Sequence, residues 1–247
     1  MPDYESLSQS SRRSSTGATL PLRELLAQED QVEKNDRLKR GCDLRKFTQS
    51  RLTEISGKGG GACLTAAFSL VQEAQARTES VLWLSSPLKP FYPPDAVKNG
   101  VDLARLPVLF LPRPQEAFLA SSKLLGSGGF GLVVWDLASW KKPQQQLSIA
   151  FLGRLNAMAR HHRASVLVLT DKKKTDPSLG CLVSLRLQVD AHPEHPELLE
   201  VEVIRDKRGI VGEQKQWDWR CQLPDGMPSS APVPSSVTVT PKTRMAG

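Results

Sequence analysis

The chain has no apolar stretch long enough to span a membrane; its longest runs are strand-sized and broken by charge. Its first residues, MPDYESLSQSSRRSSTG, contain no apolar segment of the kind a secretory signal needs. Cysteine is scarce and scattered: Cys42, Cys63, Cys181 and Cys221 form no C-x-x-C pair, which argues against a zinc site or a disulfide framework. The expectation is a soluble, reduced, cytoplasmic protein. Aromatic residues make up only 6% of the chain, too few for a base-stacking platform to be the main device. There is no G-x-S-x-G nucleophile elbow. His192 and His195 lie in a proline-broken turn with no other ligand clustered beside them in sequence, so neither a metal nor a cofactor is expected.

Basic residues, by contrast, are in excess. The net charge is +7, and the pI is about 9.4, a balance that favours polyanionic partners. The basic residues gather at Lys141-Lys142, Arg160-His161-His162-Arg163, Lys172-Lys173-Lys174 and Arg205-Asp206-Lys207-Arg208. Short runs of this kind are usually solvated loops. Two of them, however, follow the predicted strands ending at Asp136 and Thr170, the sheet edge where open α/β proteins bind ligands. Lys141, Lys142, Arg163, Lys172, Lys173 and Lys174 are therefore the candidate DNA-contacting residues, with Lys172 to Lys174 foremost.

Four segments are expected. Residues 1–18 are Ser-rich and read as disordered, and residues 225–247 are Pro/Ser-rich and read likewise. Residues 19–47 read as a helical docking arm, with Leu22, Leu25 and Leu26 on one small apolar face as candidate partner contacts. Residues 48–224 read as the core. Strand patterns (RLTEI, SVLWL, PVLFL, GLVVWD, ASVLVLT) alternate with helical ones (ACLTAAFSLVQEAQAR, PQEAFLASSKLL, QQLSIAFLGRLNAMARHH). The late strands VSLRLQV, LEVEVIR and QWDWRCQL have no helices between them. That order predicts a mainly parallel sheet flanked by helices, with an antiparallel extension at its C-terminal end. In the last helix the spacing predicts a buried face of Leu147, Ala150, Phe151, Leu155 and Met158, with Arg154 at its margin.

Between the first strand and the first long helix lies Gly57-Lys58-Gly59-Gly60-Gly61. A phosphate-binding loop reads G-x-x-x-x-G-K-[ST]: amides cradle the phosphates, the lysine neutralises them and the hydroxyl holds magnesium. Counted from Gly57, the last three positions are Ala62, Cys63 and Leu64, so the lysine and the hydroxyl are both missing. Lys58 alone does not replace them. Asp136 ends a hydrophobic strand in the manner of a magnesium-holding Walker B aspartate, and is expected here as a remnant that caps or hydrogen-bonds the loop. Leu84 to Pro90, where an acid would orient an attacking water, contains none. No catalytic residue is expected.

These segments together resemble the ATPase core of the RecA recombinase family over residues 48–212. The matching stretches are RLTEISGKGGGACLTAAFSLVQEAQA, DAVKNGVDLARLPVL, GLVVWDLAS, LGRLNAMARHHRASVLVLT, and LVSLRLQVD with EVEVIRDKRG. The resemblance implies a RecA-like core. It puts Leu88 at the catalytic-glutamate position and Asp171 at that of the nucleotide-sensing glutamine, and it shortens the two DNA-binding loops to residues 138–143 and 171–177. Among short, ATPase-degenerate relatives the chain looks most like the ImuA family of damage-induced mutagenesis. That likeness implies a non-enzymatic adaptor whose partners are an ImuB-like Y-family polymerase relative and an error-prone C-family DNA polymerase. A RecA filament or DNA are further candidates. Cell-division inhibitors of the SulA type share the reduced fold, so a division inhibitor and a DNA-binding recombination mediator stand as alternatives.

Overall fold

The computed structural model describes residues 44–89, 91–140, 147–195, 197–212 and 215–220. Leu22, Leu25, Leu26, Lys141 and Lys142 lie outside the described residues, as do the segments read as terminal tails. The described elements run α1 (Leu44–Thr48), β1 (Leu52–Ser56), α2 (Gly61–Ala76), β2 (Val81–Ser85) and α3 (Pro93–Lys98). After a 3-10 turn at Leu103–Arg105 come β3 (Val108–Phe110), α4 (Pro114–Gly126) and β4 (Leu132–Asp136). A second 3-10 turn, Leu137–Ser139, precedes α5 (Ile149–His161), β5 (Ser165–Thr170), β6 (Leu185–Ala191), β7 (Leu198–Asp206) and β8 (Gln216–Arg220).

One eight-stranded sheet runs in the order β3-β2-β4-β5-β1-β6-β7-β8. Strands β1 to β6 are parallel where they pair, and β6-β7-β8 form the expected antiparallel extension. The parallel strands are apolar at nearly every position because both of their faces are covered. In β4, Leu132 and Val134 join one core layer, while Val133 and Trp135 join the layer on the opposite face. On the first face Phe68 of α2 stacks on Trp83, with ring centroids 5.1 Å apart. On the second, Phe118 of α4 lies parallel to Phe151 of α5 at 4.1 Å, and Trp135 Nε1 donates to Ser121 Oγ at 2.8 Å.

Two elements differ from the sequence pattern. Helix α1 packs Leu44 into the core, and its buried Arg45 donates to Ser165 Oγ (2.6 Å) and the Gly131 carbonyl (3.2 Å) and pairs with Glu79. Five residues are too short a stretch for periodicity to reveal. Helix α5 is rotated from the predicted face: Leu152, Leu155 and Ala159 are buried, Phe151 and Met158 flank them, and Ala150 is exposed. The helix is apolar on more than one side, so spacing alone does not select the face that meets the sheet. Among the described residues, no helix is long and apolar enough to cross a membrane.

Candidate functional site

Strand β1 delivers the glycine loop to the edge where β4, β5 and β1 end. Strand β5 separates β1 from the Asp136 strand β4, so the two predicted site segments flank a common neighbour. Gly57 donates its N–H to the Thr170 carbonyl at 3.3 Å. A Cβ there would stand 2.3 Å from the Val189 carbonyl oxygen and 2.9 Å from Cys63 Sγ, so no larger residue fits. Gly59 and Gly60 take φ of +80° and +76°, the left-handed turn into α2. Lys58 is exposed, and Gly61 opens the helix.

The loop's chemistry is turned inward. Gly59 N donates to Asp171 Oδ1 at 3.2 Å, so a carboxylate of the β5–β6 loop engages an amide of the turn. The nearest helical hydroxyl, Thr65 Oγ1, donates to the Gly61 carbonyl at 3.1 Å. Cys63 occupies the position of the missing lysine. Its thiol is pushed up to about 12 by burial, then by the charges of Asp190, Asp171 and Asp136. It is therefore a neutral thiol at neutral pH and a poor nucleophile. The charges of three carboxylates act on Cys63, where a nucleotide-binding loop would supply positive charge.

Among the described residues Asp136 shows no hydrogen bond to the loop it was expected to cap, although its charge reaches Cys63. Its Oδ2 accepts from Ser85 Oγ at 3.4 Å, and its backbone carbonyl accepts from Ser139 Oγ at 2.6 Å. Asp171 holds the loop in its place. Burial raises the Asp136 carboxyl to about 6, against the lowering effects of Ser85, Lys89 and Ser139. Leu88 is 65% exposed, with no acid in the surrounding segment.

The basic candidates among the described residues do not assemble into one patch. Lys172 was the foremost expected phosphate contact, and it is only 8% exposed. Its Nζ lies 3.0 Å from Glu54 Oε1 and 3.1 Å from the Pro177 carbonyl, so the ammonium is committed inside the protein. Lys173 and Lys174 are exposed, and Lys174 pairs with Glu202 at 2.6 Å. Arg163 follows α5 at φ +53°, at the opposite end of β5 from Lys173.

Sequence reasoning missed Glu54 and Arg186. Glu54 has no exposed surface. It accepts from Thr170 Oγ1 (3.2 Å), Lys172 Nζ (3.0 Å), Ser178 Oγ (2.7 Å) and Leu179 N (2.8 Å). Arg186, 2% exposed, donates to the Lys173 carbonyl at 2.9 Å and to that of Asp176. The available signal was a charge in the middle of each apolar strand, Leu-Thr-Glu-Ile and Leu-Arg-Leu, where burial demands a partner.

His192 also has neighbours that were not expected. Ligand atoms of His192, Glu200 and Asp218 lie within 4.8 Å of one another, because register places Glu200 between Asp190 and Asp218 on adjacent strands. His192 Nδ1 accepts from Glu194 N (3.2 Å) and His195 N (3.1 Å). An accepting Nδ1 leaves the proton of the neutral ring on Nε2, which then offers the carboxylates a donor, not a metal a lone pair.

No protein-family model matches the chain, and no curated protein matches it. The class of protein rests on architecture alone: an α/β domain, mostly parallel with an antiparallel C-terminal extension, consistent with a RecA-like fold.

Two outcomes are expected. Lys172→Met strands the Glu54 carboxylate and is expected to destabilise the domain by about 3–5 kcal/mol in urea unfolding, with part recovered by adding Glu54→Gln. A change of under about 0.5 kcal/mol, the range of an ordinary surface substitution, would contradict the buried pair. For Asp136, the folded carboxyl holds its proton to about 6 against an ordinary 3.8. The unfolded chain thus ionises first, and stability falls as pH rises through that window and stays lower above it. Asp136→Asn is expected to be more stable than the parent by up to about 3 kcal/mol at pH 8, with the gap closing below about pH 4. A gap independent of pH would contradict that burial.

Proposed function

We propose that the chain is a non-enzymatic adaptor on a RecA-like frame, serving bacterial damage-induced translesion synthesis by binding an ImuB-like partner. The observation that carries the non-enzymatic part is the glycine loop. Its lysine position is the neutral Cys63, its Gly59 amide is taken by Asp171, and Asp136, Asp171 and Asp190 all bear on the same thiol. A triphosphate placed there meets like charge, and no lysine stands at the helix position, taken by Cys63, from which it would be offset.

The choice of partner rests on the sequence likeness to the ImuA family. A surface role is supported by large apolar side chains exposed on the β2–β3 side: Leu88 at 65%, Tyr92 at 63% and Phe110 at 48%. Register sets Phe110 beside Ser85, three residues before Leu88, and apolar side chains exposed near one another mark contact surfaces more often than isolated ones do. The DNA-binding mediator is the weaker reading, because Lys172 is buried and Arg163 lies at the other end of β5. A SulA-like division inhibitor would keep the same inert loop, so only the partner separates it from the adaptor.

The test is co-expression with the Y-family polymerase relative of the same genome and, separately, with its tubulin-like division protein, followed by co-purification. The adaptor reading predicts a stoichiometric complex with the first, weakened at least tenfold by Leu88→Asp with Tyr92→Asp. A complex with the division protein alone would overturn it.

A further inference from the structure

Two basic runs far apart in sequence, Arg160 to Arg163 and Arg205 to Arg208, meet at one edge of the sheet. It is the edge where β1, β4, β5 and β6 begin, opposite the glycine loop. Arg51, just before β1, sits there with no exposed surface. Its Nη1 donates to Asp206 Oδ1 at 2.8 Å, while Nε and Nη2 have no hydrogen-bond partner. Arg208 closes over the same point. Its guanidinium donates to the carbonyls of Gln49 (3.3 Å) and Ser50 (2.5 Å), immediately ahead of Arg51, and its backbone N–H goes to Asp206 Oδ1 at 3.0 Å.

Asn156 Oδ1 accepts from Leu52 N at 3.4 Å, which seats α5 against the start of β1. Arg160 lies one turn further along that helix face. Burial, then the charges of Arg51 and Arg160, hold the Arg208 guanidinium below its ordinary value. Asp206 already accepts from Arg51, Arg208 and Val211, and one carboxylate does not neutralise three guanidinium groups.

A guanidinium's planar fork matches a phosphate oxyanion, and the charge of the buried, incompletely bonded Arg51 lies directly beneath Arg208. We propose that the exposed Arg160 and Arg208, with the Arg51 charge beneath them, form an oxyanion cradle for a phosphate group of a nucleic-acid backbone. The exposed Arg163 extends the cationic surface along the same edge, and Lys207, whose ammonium donates to the Cys181 carbonyl, adds charge beside it, so a polymer of phosphates gains more than a single ion does. The proposal does not depend on the adaptor reading or on the Lys172 to Lys174 loop.

Amide NMR spectra of the full chain, titrated with inorganic phosphate and separately with a short DNA duplex, test it. The duplex is expected to shift amides of residues 50–52, 160–163 and 206–209, with phosphate shifting the same set weakly. Arg160→Gln should weaken duplex binding about threefold, and Arg160→Gln with Arg208→Gln about tenfold, the salt slope becoming shallower by about two. Because Arg208 also holds backbone carbonyls, Arg160→Gln alone is the variant that leaves the fold's own bonds intact. Lys173→Gln with Lys174→Gln should leave these shifts in place. Binding of phosphate without duplex, shifts confined to the Lys173 loop, or unchanged binding by Arg160→Gln would each overturn the cradle.

Discussion

The buried carboxylate of Glu54 is the constraint on which the candidate site depends. It lies in the middle of β1, a strand shielded on both faces, where an unpartnered charge would cost several kcal/mol. Four donors answer it, and three of them, Lys172, Ser178 and Leu179, belong to the loop between β5 and β6. Arg186 pulls the same loop from β6 by two of its carbonyls. The loop is thus tied down from beneath by the sheet itself. A pair of buried ions fixes where the residues beside Lys172 stand.

The first of those neighbours is Asp171, whose carboxylate takes the Gly59 amide. Holding Lys172 inside the protein therefore presents Asp171 to the glycine turn. Asp190 approaches from the end of β6 and Asp136 from the end of β4, and the charges of all three press on Cys63. In a nucleotide-binding loop the same amides and helix N-terminus would be left open to an anion. Here the protein supplies the anion from its own chain. On the proposed reading, the architecture then serves as a rigid support for partner contacts.

Much of this architecture is legible in the sequence. Apolar runs such as Leu132 to Trp135 reported a sheet covered on both faces, and the late strands without helices reported the antiparallel extension. The loss of the lysine and hydroxyl at Cys63 and Leu64 could be counted directly from Gly57. What was not legible depended on pairing across the sheet. Lys172 looks like any surface lysine until β5 is set beside β1 and its ammonium meets Glu54. His192, Glu200 and Asp218 become neighbours only through the β6-β7-β8 register. Arg51, Arg160 and Arg208 come from three separate elements, and no sequence spacing links them. The face of α5 was misjudged for a related reason: the helix is apolar around much of its circumference, and the partner decides which side is buried.

On the proposed reading, the glycine loop, with its Gly59 amide held by Asp171, does not take up a nucleoside triphosphate. The most direct measurement is a calorimetric titration of the purified chain with ATP and magnesium, run alongside a phosphate-release assay. The account predicts no saturable heat at millimolar nucleotide and no release above the buffer rate. Saturable binding, or hydrolysis lost on Lys58→Ala at the exposed position of the same loop, would contradict it.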